Sequence, residues 1–259
     1  MKLVFLGTGT SYGVPQIGCD CRTCTSSDPR DRRTRTAALI ESGSRRILID
    51  TPPELRLQLV TAGVNAVDAV LFTHAHADHV HGIDDLRAVS ARRRAPLDVY
   101  GAAGTLAELE RRFPYIFDRA PAAPGTSKPE LTARPLEPDG VVEIAGMSVR
   151  ALPLPHGERT VLGYRVGPVA YLTDAKTIPA AALARLTGLE VLVLNALLPR
   201  PHPLHLSIPE AVAAAQQIGA RRTFLTHLTH DSPHAELAAR LPAGIAPAYD
   251  GLVIDVGAV

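Results

Sequence analysis

Short apolar runs separated by turn residues fill the first half of the chain. Lys2 to Leu6 predicts a strand, cut off by Gly7-Thr8-Gly9-Thr10-Ser11. Ala37 to Glu41 and Arg45 to Asp50 predict a hairpin about Ser42-Gly43-Ser44. Leu55 to Ala62 carries Leu55, Leu59 and Val60 at helical spacing, with Gly63 placed to end the helix. A buried-type strand over Asp68 to Phe72 precedes a His-rich segment and a helix from about Asp84 to Arg93. Leu97 to Tyr100 then predicts a strand, and Thr105 to Arg112 a helix.

The second half has the same style. Strands are predicted over Val141 to Leu154, Val161 to Val166, Val169 to Thr173, Val191 to Leu194, Thr223 to Thr226 and Leu252 to Val256. Helices are predicted over Ala180 to Leu186, Ile208 to Ile218 and His234 to Leu241. Hairpins followed by strand–helix units in both halves favour an α/β sandwich, with two sheets inside and helices outside, over one doubly wound sheet. Gly7-Thr8-Gly9 lacks the third glycine and the helix of a dinucleotide fingerprint. Between the halves, Pro114, Pro121, Pro124, Pro129, Pro135 and Pro138 leave little room for regular structure. Residues 114–138 are therefore expected to form a surface excursion. It is either a passive loop or a lid or subunit contact, the latter making a homodimer.

Composition narrows the class. The 259 residues suffice for one sizeable core, and residues 1–259 are read as a single domain. A hydrophobic fraction of 46% argues against disorder. A net charge of +1 argues against a protein that holds nucleic acid or anionic membrane through bulk charge. No apolar run approaches the ~18 residues of a membrane helix. The Met1 to Leu6 segment is too short for a signal peptide, so a cytoplasmic location is expected.

The chemistry gathers at strand ends. His74-Ala75-His76-Ala77-Asp78-His79 directly follows the Asp68 to Phe72 strand. In extended chain, residues two apart point the same way, so His74 and His76 can share one metal ion. Asp78 and His79, where the chain turns toward a helix, can face a second direction. Three imidazoles and a carboxylate suit Zn²⁺, Mn²⁺ or Fe²⁺ far better than Ca²⁺. His156, Asp174 and His227 each follow a further predicted strand. Asp50, at the end of the Arg45 to Ile49 run, could orient a ligand histidine or cap the next helix.

His74-x-His76-x-Asp78-His79, with the later His156, Asp174 and His227, resembles the signature of the metallo-β-lactamase-fold hydrolases, and the resemblance runs from Gly7 to Gly251. It implies a four-layer αββα sandwich. It also implies two catalytic divalent metals, Zn²⁺ or Mn²⁺: His74, His76 and His156 on the first, Asp78, His79 and His227 on the second, Asp174 between them. A metal-bridging hydroxide would attack phosphorus, with Asp78 also counted among the catalytic residues.

Cys19, Cys21 and Cys24 are the only cysteines, an odd cluster unsuited to a disulfide framework. A closed zinc site needs a fourth ligand, and His230, three residues beyond His227, is the first choice, with His202 and His234 as fallbacks. Redox thiols, an iron–sulfur site and unliganded thiols compete. This Cys-x-Cys-x-x-Cys loop after Gly13-Val14-Pro15 resembles the PhnP branch of the family, whose members carry a structural zinc beside the dinuclear centre. The branch implies opening of 5-phosphoribosyl 1,2-cyclic phosphate to ribose 1,5-bisphosphate. It also gives His205 a role at the scissile phosphate or leaving group, so the expected partner is a small phosphorylated sugar or cyclic phosphate. The rival readings are a tRNA 3′-processing nuclease, a carrier of cofactor biosynthesis, and a lactamase or thioester hydrolase. The first is disfavoured because Arg119, Lys128 and Arg134 of the excursion are offset by Asp118, Glu130 and Glu137.

Overall fold

Lys2–Gly7 (β1), Ala37–Ser42 (β2) and Arg45–Ile49 (β3) form an antiparallel meander. Ala69–Leu71 (β4), Leu97–Gly101 (β5) and Leu131–Pro135 (β6) extend it in parallel from β3. The second half repeats this plan. Val141–Ile144 (β7), Met147–His156 (β8), Arg159–Val166 (β9) and Val169–Leu172 (β10) are antiparallel neighbours, and Val191–Asn195 (β11), Arg222–Thr226 (β12) and Ile245–Pro247 (β13) continue in parallel. Val253–Asp255 (β14) returns to pair with β1. Two seven-stranded sheets result, in the orders β14-β1-β2-β3-β4-β5-β6 and β13-β12-β11-β10-β9-β8-β7. This computed structural model describes residues 1–120 and 122–257, so Pro121 lies outside it.

The crossovers are helical: Leu55–Thr61 (α1), Ala77–Val80 (α2), Arg87–Arg93 (α3), Ala103–Arg112 (α4) and Pro114–Phe117 (α5) on the first sheet, and Ala180–Leu183 (α6), Ile208–Ile218 (α7) and His234–Arg240 (α8) on the second. Three apolar layers hold the stack. Leu3, Phe5, Ile47, Leu71, Tyr164, Val193 and their neighbours pack between the sheets. Leu48, Val70, Phe72 and Val99 pack outward against α1 to α5, and Leu172, Leu192, Leu194 and Leu225 against α6 to α8. Because β4, β10 and β11 are covered on both faces, they read as unbroken apolar runs instead of alternating ones. Each such Leu or Val side chain contributes about 1.5–3 kcal/mol by leaving water. The expected αββα architecture is what forms.

Among the described residues, no helix is long and apolar enough to cross a membrane. The 114–138 segment corrects one expectation, because it holds regular structure. Pro114 starts α5, where its missing N–H is one of the orphans of a first helical turn. Pro135 ends β6 on the edge of its sheet, where a missing donor is tolerated. The same reasoning accommodates Pro153 and Pro155 in β8, whose second half extends beyond the short β7.

Candidate metal centre

Turns at the strand ends carry the polar side chains, and three of these turns are strained. Asp50 after β3 (φ 62°), Asp174 after β10 (φ 58°) and His227 after β12 (φ 58°) all adopt the left-handed conformation that non-glycine residues rarely take. Each costs of order 1–3 kcal/mol, a cost tolerated where the surroundings over-determine the geometry. The result is one cluster in which side chains from both sheets converge.

His74, His76 and His156 present ring nitrogens within 4.8 Å of one another, and a carboxylate oxygen of Asp78 lies equally close to ring nitrogens of His79 and His227. Asp174 stands between the two sets. Its Oδ1 lies 3.3 Å from Nε2 of His79 and 3.5 Å from Nε2 of His227, while its Oδ2 lies 3.9 Å from Nε2 of His74. Asp78 Oδ2 approaches the Nε2 atoms of His79 and His227 at 3.5 and 3.9 Å. The buried Nε2 atoms of His79 and His227 have no hydrogen-bond partner. Buried imidazole nitrogens without partners, aimed at shared carboxylate oxygens, are what a divalent-cation site requires, and the donor set fits Zn²⁺ or Mn²⁺.

The ligand rings are held from behind. His79 Nδ1–H donates to Asp50 at 2.7 Å, and Asp50 also accepts from the backbone N–H and hydroxyl of Thr73 at 2.8 and 2.7 Å. Of the two roles open to Asp50, the structure selects orientation of a histidine, since α1 has Glu54 at its N-cap and no side-chain cap bond. His156 Nδ1–H donates to the Leu204 carbonyl at 3.1 Å. Both arrangements leave Nε2 free toward the cluster.

The cysteine loop forms a second centre. The sulfurs of Cys19, Cys21 and Cys24 lie 3.3, 3.7 and 3.5 Å from Nδ1 of His230. Among the described residues His230 completes this group, and the fallbacks His202 and His234 do not. A Cys₃His set matches a closed zinc site.

A family model, described as a β-lactamase superfamily domain, matches residues 45–228, well over half of the chain. The chain belongs to the β-lactamase superfamily. Among solved structures, this superfamily member is similar to a diphosphatase of the PhnP family, with 39% identity, a TM-score of 0.90, and coverage of 98% of this chain and 96% of that one. It is also similar to an octanoyltransferase of Porphyromonas gingivalis, 42% identical over 98% of the chain. The chain spans only about half of that relative, 52% of its length. A ribonuclease Z of Mycobacterium sp. (strain KMS) is 28% identical, with 77% of this chain and 79% of that protein covered.

Electrostatics divides the cluster of this superfamily member. Burial drives His74 well below the ordinary imidazole range, so its ring is a neutral donor of a lone pair. Burial opposes charge on His79 as well, but Asp174, Asp50 and Asp78 outweigh it and hold that ring well above its usual value. The carboxylates that would favour a proton at His79 Nε2 equally favour a metal cation there. His205 is almost buried, with Nδ1 3.7 Å from Asp174 Oδ2, and burial followed by His227 pushes it down to about 3. Its position also brings it within 4.8 Å of ligand atoms of His156 and Asp174.

Every site residue expected from the sequence thus falls in one of two clusters. Sequence reasoning missed Asn195 at the end of β11, whose side chain accepts from Ala175 N–H at 2.8 Å and donates to Ala175 O at 3.1 Å, fixing the turn after Asp174. The signal was available: one polar residue closing the apolar run Val191-Leu192-Val193-Leu194. It also missed Arg33, fully buried, which donates to the Thr229 and Ser232 carbonyls at 2.7 Å each and pins the loop carrying His230. Nothing in the sequence around Arg33 marks it.

Proposed function

We propose that the chain is a metal-dependent phosphodiesterase opening a small cyclic phosphodiester, with 5-phosphoribosyl 1,2-cyclic phosphate going to ribose 1,5-bisphosphate as the specific reaction. The observation that carries this reading is the position of Asp174, one carboxylate shared by two histidine groups. The likeness to a PhnP-family diphosphatase supports the phosphorus chemistry.

His74, His76 and His156 would hold one divalent metal and Asp78, His79 and His227 another, with Asp174 touching both. Cations so held would supply Lewis acidity toward a phosphoryl oxygen and an activated water near neutral pH. The chain's own contribution is positional. Asp50 and the Leu204 carbonyl keep His79 and His156 in one tautomer each. His205, neutral and beside Asp174, offers a ring N–H to the scissile phosphate, where charge develops. Water adds across one ring P–O bond: its oxygen goes to phosphorus, and a proton ends on the released sugar oxygen. Cys19, Cys21, Cys24 and His230 would hold a structural zinc that ties the N-terminal loop to the turn carrying His227.

One observation favours a second reading, cleavage of a phosphoanhydride: the neighbouring structure that covers nearly the whole chain is described as a diphosphatase. Processing of tRNA has less support, because Lys128 and Arg134 of the 114–138 segment face Asp118 and Asp98 at 4.0 and 3.0 Å. A panel of bis-p-nitrophenyl phosphate, ribose 1,2-cyclic phosphate with and without a 5-phosphate, a sugar diphosphate and a precursor tRNA tests the assignment. Fastest turnover of the 5-phosphorylated cyclic substrate is expected, with Asp174→Ala inactive and depleted of metal. Turnover of only the diphosphate, or only the tRNA, would move the chain to that rival class.

A further inference from the structure

His202 is left without a task by both clusters. It does not join the cysteines but stands beside His205, with ring centroids 5.2 Å apart. His205 packs against His156 at 4.8 Å and His227 at 4.9 Å, so His202 lies one imidazole farther out from the ligand groups.

Backbone geometry sets how its ring is presented. Leu204 N–H donates to Nδ1 of His202 at 3.2 Å, which makes that nitrogen the acceptor and puts the ring proton on Nε2. The carbonyl of the same Leu204 accepts from His156, so this short segment orients two imidazoles. Pro201 and Pro203 flank His202 and remove backbone freedom on both sides. Burial, then Lys176, keeps the ring below the ordinary imidazole range, hence neutral. Lys176 is paired with Glu210 at 2.7 Å, but Arg200, 72% exposed, meets Asp231 only at 3.6 Å and can turn to another anion.

We propose that the Nε2–H of His202, with the Arg200 guanidinium nearby, binds a second phosphate of the substrate, one that is not cleaved, and so selects doubly phosphorylated small molecules. This rests on the phosphodiesterase reading and makes His202 a specificity residue. A neutral donor with a fixed tautomer loses little entropy on binding, and a hydrogen bond to a phosphate oxygen is of the stronger, charge-assisted kind.

The test compares ribose 1,2-cyclic phosphate with and without its 5-phosphate in wild type, His202→Ala and His202→Gln, with metal content measured for each. In His202→Ala, kcat/KM for the 5-phosphorylated substrate should fall roughly 10- to 100-fold, mainly through KM, with the other substrate unaffected. Gln should restore part of the preference, since its amide N–H can occupy the place of Nε2–H. Independently, ribose 5-phosphate, but not ribose, should shift the His202 side-chain ¹⁵N resonances. Equal losses on both substrates, or resonances that ignore ribose 5-phosphate, would overturn the proposal. If wild type opens neither substrate, the phosphodiesterase reading fails, and the resonance titration alone decides whether His202 binds a phosphate.

Discussion

Asp50 and His79 come from segments 29 residues apart and meet through a 2.7 Å hydrogen bond with both side chains fully buried. The backbones cross beside it: Thr51 N–H donates to His79 O, and Gly82 N–H donates to Thr51 O, each at 2.8 Å. Gly82 is required at this crossing because any Cβ would overlap the Pro52 carbonyl. Removing the carboxylate in Asp50→Ala strands both His79 Nδ1–H and the Thr73 donors. Metal affinity at the Asp78–His79–His227 group should fall about 10- to 100-fold, read by competition against a chelator. Unchanged affinity would mean that His79 is held by packing alone.

His205 should act on rate. His205→Ala should lower kcat roughly 10²–10³-fold, as expected for a lost donor to developing charge, while metal content stays at the wild-type level. Loss of a metal in that variant would instead make His205 a ligand, a role its closeness to Asp174 and His156 permits.

The Cys₃His centre should appear first in stability. Burial holds the Cys24 thiol up at about 11, whereas the Cys24 backbone N–H draws Cys21 down. A cation is therefore needed to keep all three sulfurs as thiolates near neutral pH. Cys21→Ser should lose about one metal per chain and melt at a lower temperature, with activity falling afterwards through the misplaced His227 turn. Full metal content in the variant, measured by elemental analysis, would refute the site.

Glu210 gives a pH signature at the base of the His202–His205 segment. It accepts from Ser207 N–H and Ser207 Oγ–H at 2.7 and 2.8 Å, closing a capping box on α7, and from Lys176 Nζ at 2.7 Å. Burial opposes its charge, but Lys176 and Ser207 outweigh it and draw the carboxyl from 4.5 down to about 2. A depressed folded value means stability present above pH 4.5 and lost as pH falls toward 2. The stability difference between wild type and Glu210→Gln should be about 1 kcal/mol at pH 7, limited by solvent exposure, and shrink across that window. A difference independent of pH, in denaturant titrations at several pH values, would contradict the assignment.

Much of the site is legible in the sequence because its ligands sit at strand ends, and a strand end is visible locally. The apolar run through Phe72 stops at Thr73, and the alternation of His74 and His76 follows from the period of extended chain alone. The clustering of Cys19, Cys21 and Cys24, and the proline at each end of His202, are likewise written in consecutive residues. What the sequence leaves open are relations between distant segments. These are whether Asp50 caps a helix or grips His79, which histidine completes the cysteines, and that Arg33 pins the 229–232 turn. They also include Asp250, whose buried carboxylate takes the Thr8 hydroxyl and the Thr34 N–H at 2.7 Å each, 242 and 216 residues away. Even the regular structure inside 114–138 is of this kind. Local proline content argues against β6, but an open edge beside β5 supplies the hydrogen bonds and the apolar face that make a strand there favourable. Local pattern is determined by period and side-chain type. Pairing across the chain depends on which buried polar groups are left needing partners once the two sheets have packed.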